Sequence, residues 1–125
     1  MRLLIPFFQK NGLKGISMDD MAEAMNISKA TVYKYFHSRE EILAATIAAK
    51  LDEIKDFEQY LNDKKVDYLE RYKNAVQYLS EHISDITNVF LSDLKNIFPH
   101  LWQLIDAFKE YCMNILRAVS YTHLR

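Results

Sequence analysis

Lys29, Thr31, Tyr33 and Lys34 follow one another closely, directly after Ser28, in a stretch built otherwise from Ala30, Val32, Tyr35 and Phe36. If this stretch is helical, Val32 and Phe36 stack on one face at i and i+4, while Ala30, Thr31 and Lys34 point the other way. The outward face is small, polar and cationic, with no acid on it. Its chemistry is non-covalent: ammonium and hydroxyl donors set against phosphate oxygens and base edges. A helix that starts at Ser28 also offers free N–H groups and the positive end of its dipole to a phosphate. Tyr33 lies at the edge of the face, where its hydroxyl can donate to a phosphate.

Other chemistries find little support. His82 and His100 are far apart, and His37 and His123 sit near element ends, so no two share an i, i+4 face and no metal is expected. There is no glycine-rich phosphate loop, no trustworthy Ser/His/Asp order and no carboxylate pair set apart from solvated charge, so no catalytic residue and no cofactor is expected, and the chain reads as no enzyme. The single cysteine, Cys112, excludes an internal disulfide, suits a reducing cytoplasm and reads as a small buried hydrophobe. Charged residues interrupt every apolar run, so no membrane span is expected. The apolar stretch after Met1-Arg2 ends at Gln9 without a cleavage site, which argues against a signal peptide. Charge is unevenly shared, seven Lys/Arg against five Asp/Glu in residues 1 to 50 and nine against twelve in residues 51 to 125. A basic head on an acidic body is compatible with phosphate contact at one end.

The elements that must position these residues are helices. Only two glycines and two prolines interrupt 125 residues that are 50% hydrophobic, so an all-α protein is expected. A short first helix should run from Leu3 to Gln9 with Pro6 near its start, and Asn11-Gly12 ends it. Ser17 caps a second helix, Met18 to about Met25, with Asp19 and Asp20 in its first turn and Met18, Met21, Ala22 and Met25 on one face. Asn26 takes a left-handed cap, and Ile27 is expected to turn back into the core. Ser28 caps the third helix, Lys29 to about Phe36. Ser38-Arg39-Glu40-Glu41 has capping-box spacing and starts a fourth helix expected to continue to about Leu61. Beyond Asn62-Asp63-Lys64-Lys65, a fifth helix spans Val66 to Ile83, a sixth about Ile86 to Ile97, and a seventh carries Leu101 to Leu116. The last residues, Ser120 to Arg125, do not extend the pattern.

Two short helices joined by Met25-Asn26-Ile27-Ser28, the second presenting a small polar face, have the layout of a helix-turn-helix. The segments Gly12-x-x-x-Ile16-Ser17-Met18-Asp19-Asp20-Met21-Ala22, Ile27-Ser28-Lys29-Ala30-Thr31-Val32-Tyr33-Lys34-Tyr35-Phe36 and Ser38-Arg39-Glu40-Glu41-Ile42-Leu43 resemble the tetracycline-repressor (TetR) family over about residues 7 to 50. The resemblance implies a helix-turn-helix DNA-binding domain over residues 1–48 and a partial ligand-binding and dimerisation domain over residues 49–125. It implies that Ser17, Lys29, Ala30, Thr31, Tyr33, Lys34, Tyr35 and Arg39 lie near operator DNA. It further implies a homodimer in the full-length protein and a small-molecule inducer that spreads the two heads. Tyr72, Phe90, Trp102 and Phe108 stand on helices that surround the inducer cavity in such proteins, and an apolar ligand would fit there. The function implied is a bacterial transcriptional regulator, a repressor released by its inducer, working in the cytoplasm at the nucleoid. Two rivals keep the same fold: a helical protein-interaction module and a chromosome-organising DNA binder. Family members continue for two further long helices, which sets the expectation of an incomplete reading frame.

Overall fold

A computed structural model describes residues 4–84 and 86–123, except the side chains of residues 5, 9 and 121–123. Every regular element among them is a helix: α1 (Leu4–Asn11), α2 (Met18–Ala24), α3 (Lys29–Tyr35), α4 (Arg39–Ile54), α5 (Phe57–Leu61), α6 (Tyr68–Ile83), α7 (Asn88–Ile97) and α8 (Pro99–His123). The all-α expectation holds. None of these helices is long and apolar enough to cross a membrane.

Local sequence explains most boundaries. Pro6 falls in the first turn of α1, where its missing N–H has no intrahelical partner to lose. Gly12 closes the helix at φ +72°, and its N–H donates to the Phe8 carbonyl at 2.8 Å. Asn26 takes φ +57° after α2, while the Ile27 N–H returns to the Ala22 carbonyl at 3.1 Å. Ser17, Ser28, Ser38, Asp67 and Thr87 each accept a backbone N–H at the start of a helix. Pro99 opens α8 and so forces the break after α7.

Four expectations need correcting. The long fourth helix is two helices: Asp56 N–H bonds the Glu53 carbonyl, and Glu58 and Gln59 bond back three residues, a tightened turn separating α4 from α5. Tyr78 donates to the same Glu53 carbonyl at 2.8 Å, so tertiary contact fixes a break that helical spacing alone does not announce. Ile27 stays 42% exposed, because the left-handed turn at Asn26 sends it outward while Met21 and Ala22 fill the core. The Ser38 box is completed differently, since Glu41 accepts from the His37 N–H. Finally, α8 runs on through Ser120 to His123.

The core is divided in two. Leu4, Phe8, Leu13, Ile16, Met21, Ala22, Val32, Ile42 and Leu43 from the first four helices and the turn between α1 and α2 pack with Phe90 and Leu94 of α7 and Leu101 of α8. Ile54, Phe57, Ala75, Leu79 and Cys112 form a second cluster where α4, α5, α6 and α8 meet. Polar bonds cross the same seam as the first core. Asp93 on α7 accepts the Leu13 N–H at 3.1 Å. Arg39 lies over the Phe98 ring, and His100 pairs with Glu40. The short helices that would hold α3 are therefore braced from behind by the α7–α8 corner.

Candidate nucleic-acid interface

The third helix is fixed by one buried residue and presents the rest. Val32 is 1% exposed and Phe36 packs against the same core, while Lys29, Ala30, Thr31, Tyr33, Lys34 and Tyr35 are all exposed. Ser28 accepts the Thr31 N–H at 3.1 Å and shares a 2.7 Å hydroxyl contact with Thr31 Oγ1, which sets the rotamer of that side chain at the start of the helix. Tyr33 and Tyr35 are 52% and 66% exposed. The Lys34 ammonium rests 5.6 Å from the centre of the Tyr35 ring. Tyr35 thus points outward and away from the domain core.

The second helix meets this face through its acids. Ser17 and Asp20 form a reciprocal box: Asp20 N–H donates to Ser17 Oγ at 3.1 Å, and Ser17 N–H donates to the Asp20 carboxylate at 2.9 Å. The Ser17 N–H, then its hydroxyl, hold the Asp20 carboxyl below the ordinary carboxylate value. Asp19, one residue earlier, is not part of that box. Its carboxylate takes Lys29 Nζ at 3.3 Å and the Tyr33 hydroxyl at 3.2 Å. The bond from Tyr33 to Asp19 raises the phenol above its usual pKa and keeps it protonated. Their position in the first turn alone assigns both acids to the helix dipole. The Ser17-x-x-Asp20 spacing was the available sign that Asp20 alone completes the cap and that Asp19 is left to reach α3.

Arg39 is placed differently from the α3 residues. It is half-buried, donates to the Ile16 carbonyl at 2.8 Å and covers Phe98. Its guanidinium ties the turn before α2 to the start of α4 and to the α7–α8 corner. Ser17, by contrast, is exposed on the same side as the start of α2.

Behind the head, a cleft of about 440 Å³ opens between α4, α6, α7 and α8. Trp102 and Phe108 line it, with Leu51, Leu79, Leu91 and Cys112. Asp106 and Lys109 supply charge on its α8 wall. Lys95 Nζ stands 5.8 Å from the centre of the Trp102 ring. Burial, then the charge of Glu58, pushes the Cys112 thiol up to about 11, so that wall carries a neutral thiol. Phe90 is not in this cleft. It packs in the first core, its ring centre 6.2 Å from that of Phe8, and borders a smaller hollow of about 40 Å³. Tyr72 stands half-buried on α6, also outside the cleft lining. The aliphatic lining residues carry helical spacing like any core residue, and no signal in the sequence separates them from it. Among the described residues, no group of three His, Cys, Asp or Glu could hold a metal ion.

Comparison with known proteins places this head in a family. Residues 7–46 match the family described as bacterial regulatory proteins, tetR family. The chain is 28% identical over 110 residues to the uncharacterized HTH-type transcriptional regulator YvaF of Bacillus subtilis (strain 168), a match covering 86% of this chain and 58% of that protein. It is 29% identical over 87 residues to IcaR of Staphylococcus aureus (strain Newman), the biofilm operon icaADBC HTH-type negative transcriptional regulator, covering 70% of this chain and 45% of that one. The chain thus spans about half the length of the curated relatives it matches. No solved structure matches it. The family match lies over the head, within α1 to α4, and the similarity to two named regulators extends past it, so the chain is similar to the tetR family of bacterial regulatory proteins and its head carries that family's helix-turn-helix.

Proposed function

We propose that this chain grips duplex DNA through the outward face of α3 and regulates transcription, as a repressor that a small molecule releases. The observation that carries the reading is the division of labour along α3, where Val32 alone is buried and Lys29, Thr31, Tyr33, Lys34 and Tyr35 are left on the surface. Phosphate oxygens accept from the two ammonium groups and the Tyr33 hydroxyl, and Thr31 and the small side chain of Ala30 let the helix approach base edges. Ser17 sits beside the same surface at the start of α2. Arg39 acts through position, holding the turn before α2 while lying close to the duplex.

The regulatory half of the proposal rests on the cleft. Its walls are apolar, its volume is in the range of small-molecule sites, and it touches α4, which continues directly from the head. A ligand between Trp102, Phe108 and Leu51 would bear on α4 and on the α7–α8 corner at once. Of the four aromatics expected around a ligand, Trp102 and Phe108 are proposed as its direct contacts. Dimerisation of the full-length protein would set two such heads on a palindromic operator in the bacterial cytoplasm, at the nucleoid. IcaR, described as a negative regulator, supports the sign of the effect.

Selection of bound fragments from a pool of random duplexes tests the reading. Enrichment of a palindromic site, lost when Lys29 and Lys34 are both changed to Ala, is the expected result. Enrichment of no site, with no retention of duplex, overturns it in favour of a helical interaction module.

A further inference from the structure

Two donors from the outward face of α3 converge on a single carboxylate of α2. Lys29 Nζ lies 3.3 Å from one oxygen of Asp19, and the Tyr33 hydroxyl donates to the other at 3.2 Å. Helix capping does not explain the arrangement, because Ser17 and Asp20 close the cap between themselves. An ammonium and a phenol aimed at one anion from neighbouring turns are what a phosphate oxygen needs.

We propose that Lys29 and Tyr33 form one backbone-phosphate site whose place in the free protein is held by the Asp19 carboxylate, so that DNA binds by displacing an internal anion. The inference rests on the duplex-binding reading and adds to it an internal competitor. The pair is exposed, at 68% for the lysine side chain and 46% for the aspartate, so water screens it and a phosphate can replace the carboxylate. While engaged, Asp19 withdraws two donors from the face and presents a negative charge to the approaching duplex. Both effects lower the affinity for DNA of any sequence, which is set mainly by the number of phosphates neutralised. Lys29 and Tyr33 remain oriented throughout, since the carboxylate holds them where the phosphate will sit. Asp19 is therefore a brake on sequence-independent binding and a positioning residue for the contact that replaces it.

The test is equilibrium binding of the whole chain to a labelled random-sequence duplex between about 50 and 200 mM salt. Wild type is compared with Asp19→Asn, Lys29→Ala and the double variant. Asparagine keeps the size of the side chain and an acceptor for Tyr33 while removing the charge, and equal helical content by circular dichroism verifies the fold. Asp19→Asn is expected to bind roughly threefold to tenfold more tightly at the low-salt end, with a log–log salt dependence steeper by up to about 0.9. That gain should shrink sharply in the Lys29→Ala background, because the donor being released is gone. Unchanged or weaker binding by Asp19→Asn, or a gain of the same size without Lys29, overturns the inference. If Lys34→Ala weakens binding while Asp19→Asn is neutral, the duplex-binding reading stands and only this inference falls. If neither wild type nor Asp19→Asn retains any duplex, the reading itself fails and the inference with it.

Discussion

The head and the helices behind it are built by different means, although they share a core. In α2 and α3, seven residues each, order comes from caps written in adjacent residues: Ser17 with Asp20, Ser28 with Thr31, Asn26 in the left-handed turn. In α6, α7 and α8 it comes from long apolar faces, and a cleft remains where those faces do not close. Yet Phe90, Leu94 and Leu101 belong to the same buried cluster as Leu4, Phe8 and Ile42. A unit of short helices cannot bury enough surface by itself, so it borrows from α7 and α8. Because of that loan, a change in the cleft has a packed route to the head. Asp93, Arg39 and His100 lie along the seam as polar fasteners.

Substitutions along the seam should have the largest effect. Leu94 is fully buried between the two parts, and Leu94→Ala should cost about 3 kcal/mol, read by denaturant unfolding as one cooperative transition shifted for the whole chain. Two separated transitions would show that the head stands alone. Gly12→Ala is the next largest: φ is +72°, and an added Cβ would stand 2.9 Å from Asp93 Oδ2. A loss of about 1 to 2 kcal/mol is expected, with the Leu13–Asp93 bond disturbed as well. A stability change too small to measure would mean that the turn and Asp93 relax freely.

Ser28→Ala probes the local order of α3. Removing the cap of α3 should cost about 1 kcal/mol, and it should weaken DNA binding further by freeing Thr31 from its 2.7 Å contact. The effect least felt by the fold at neutral pH belongs to the cleft. Cys112, with its thiol pushed from an ordinary 9.0 to about 11, should react with iodoacetamide at pH 8 about a hundredfold more slowly than an exposed thiol, and more slowly still behind its neighbours. The sign for stability follows from the raised value: the neutral thiol contributes fully below about pH 9, and the contribution is lost as pH rises toward 11. Rapid alkylation in the native protein would mean that the cleft opens to solvent far more than its packed walls imply.

The same contrast explains what could be read from the sequence. The boundaries of α2 and α3, the left-handed Asn26 and the outward face of α3 depend on residues within a few positions of each other, and spacing conveys such relations. The α4–α5 break depends on Tyr78 reaching Glu53 across 25 residues, and the outward turn of Ile27 on which apolar side chains reach the core first. Phe90 and Trp102 carry similar helical spacing, but only packing sends one into the core beside Phe8 and the other to the cleft wall. Asp19 was the nearest miss, because its role lies one element away and its own helix offered a sufficient local explanation.

The most direct test of the account is the salt dependence of duplex binding by wild type and Lys34→Ala. Lys34 takes no part in the core and lies over an exposed Tyr35 ring, so its loss should leave helical content and unfolding midpoint unchanged. Weaker binding across all sequences is expected, with a log–log slope shallower by about 0.9, one phosphate contact fewer. Identical slopes and affinities for the two proteins would contradict it and remove the outward face of α3 from the DNA.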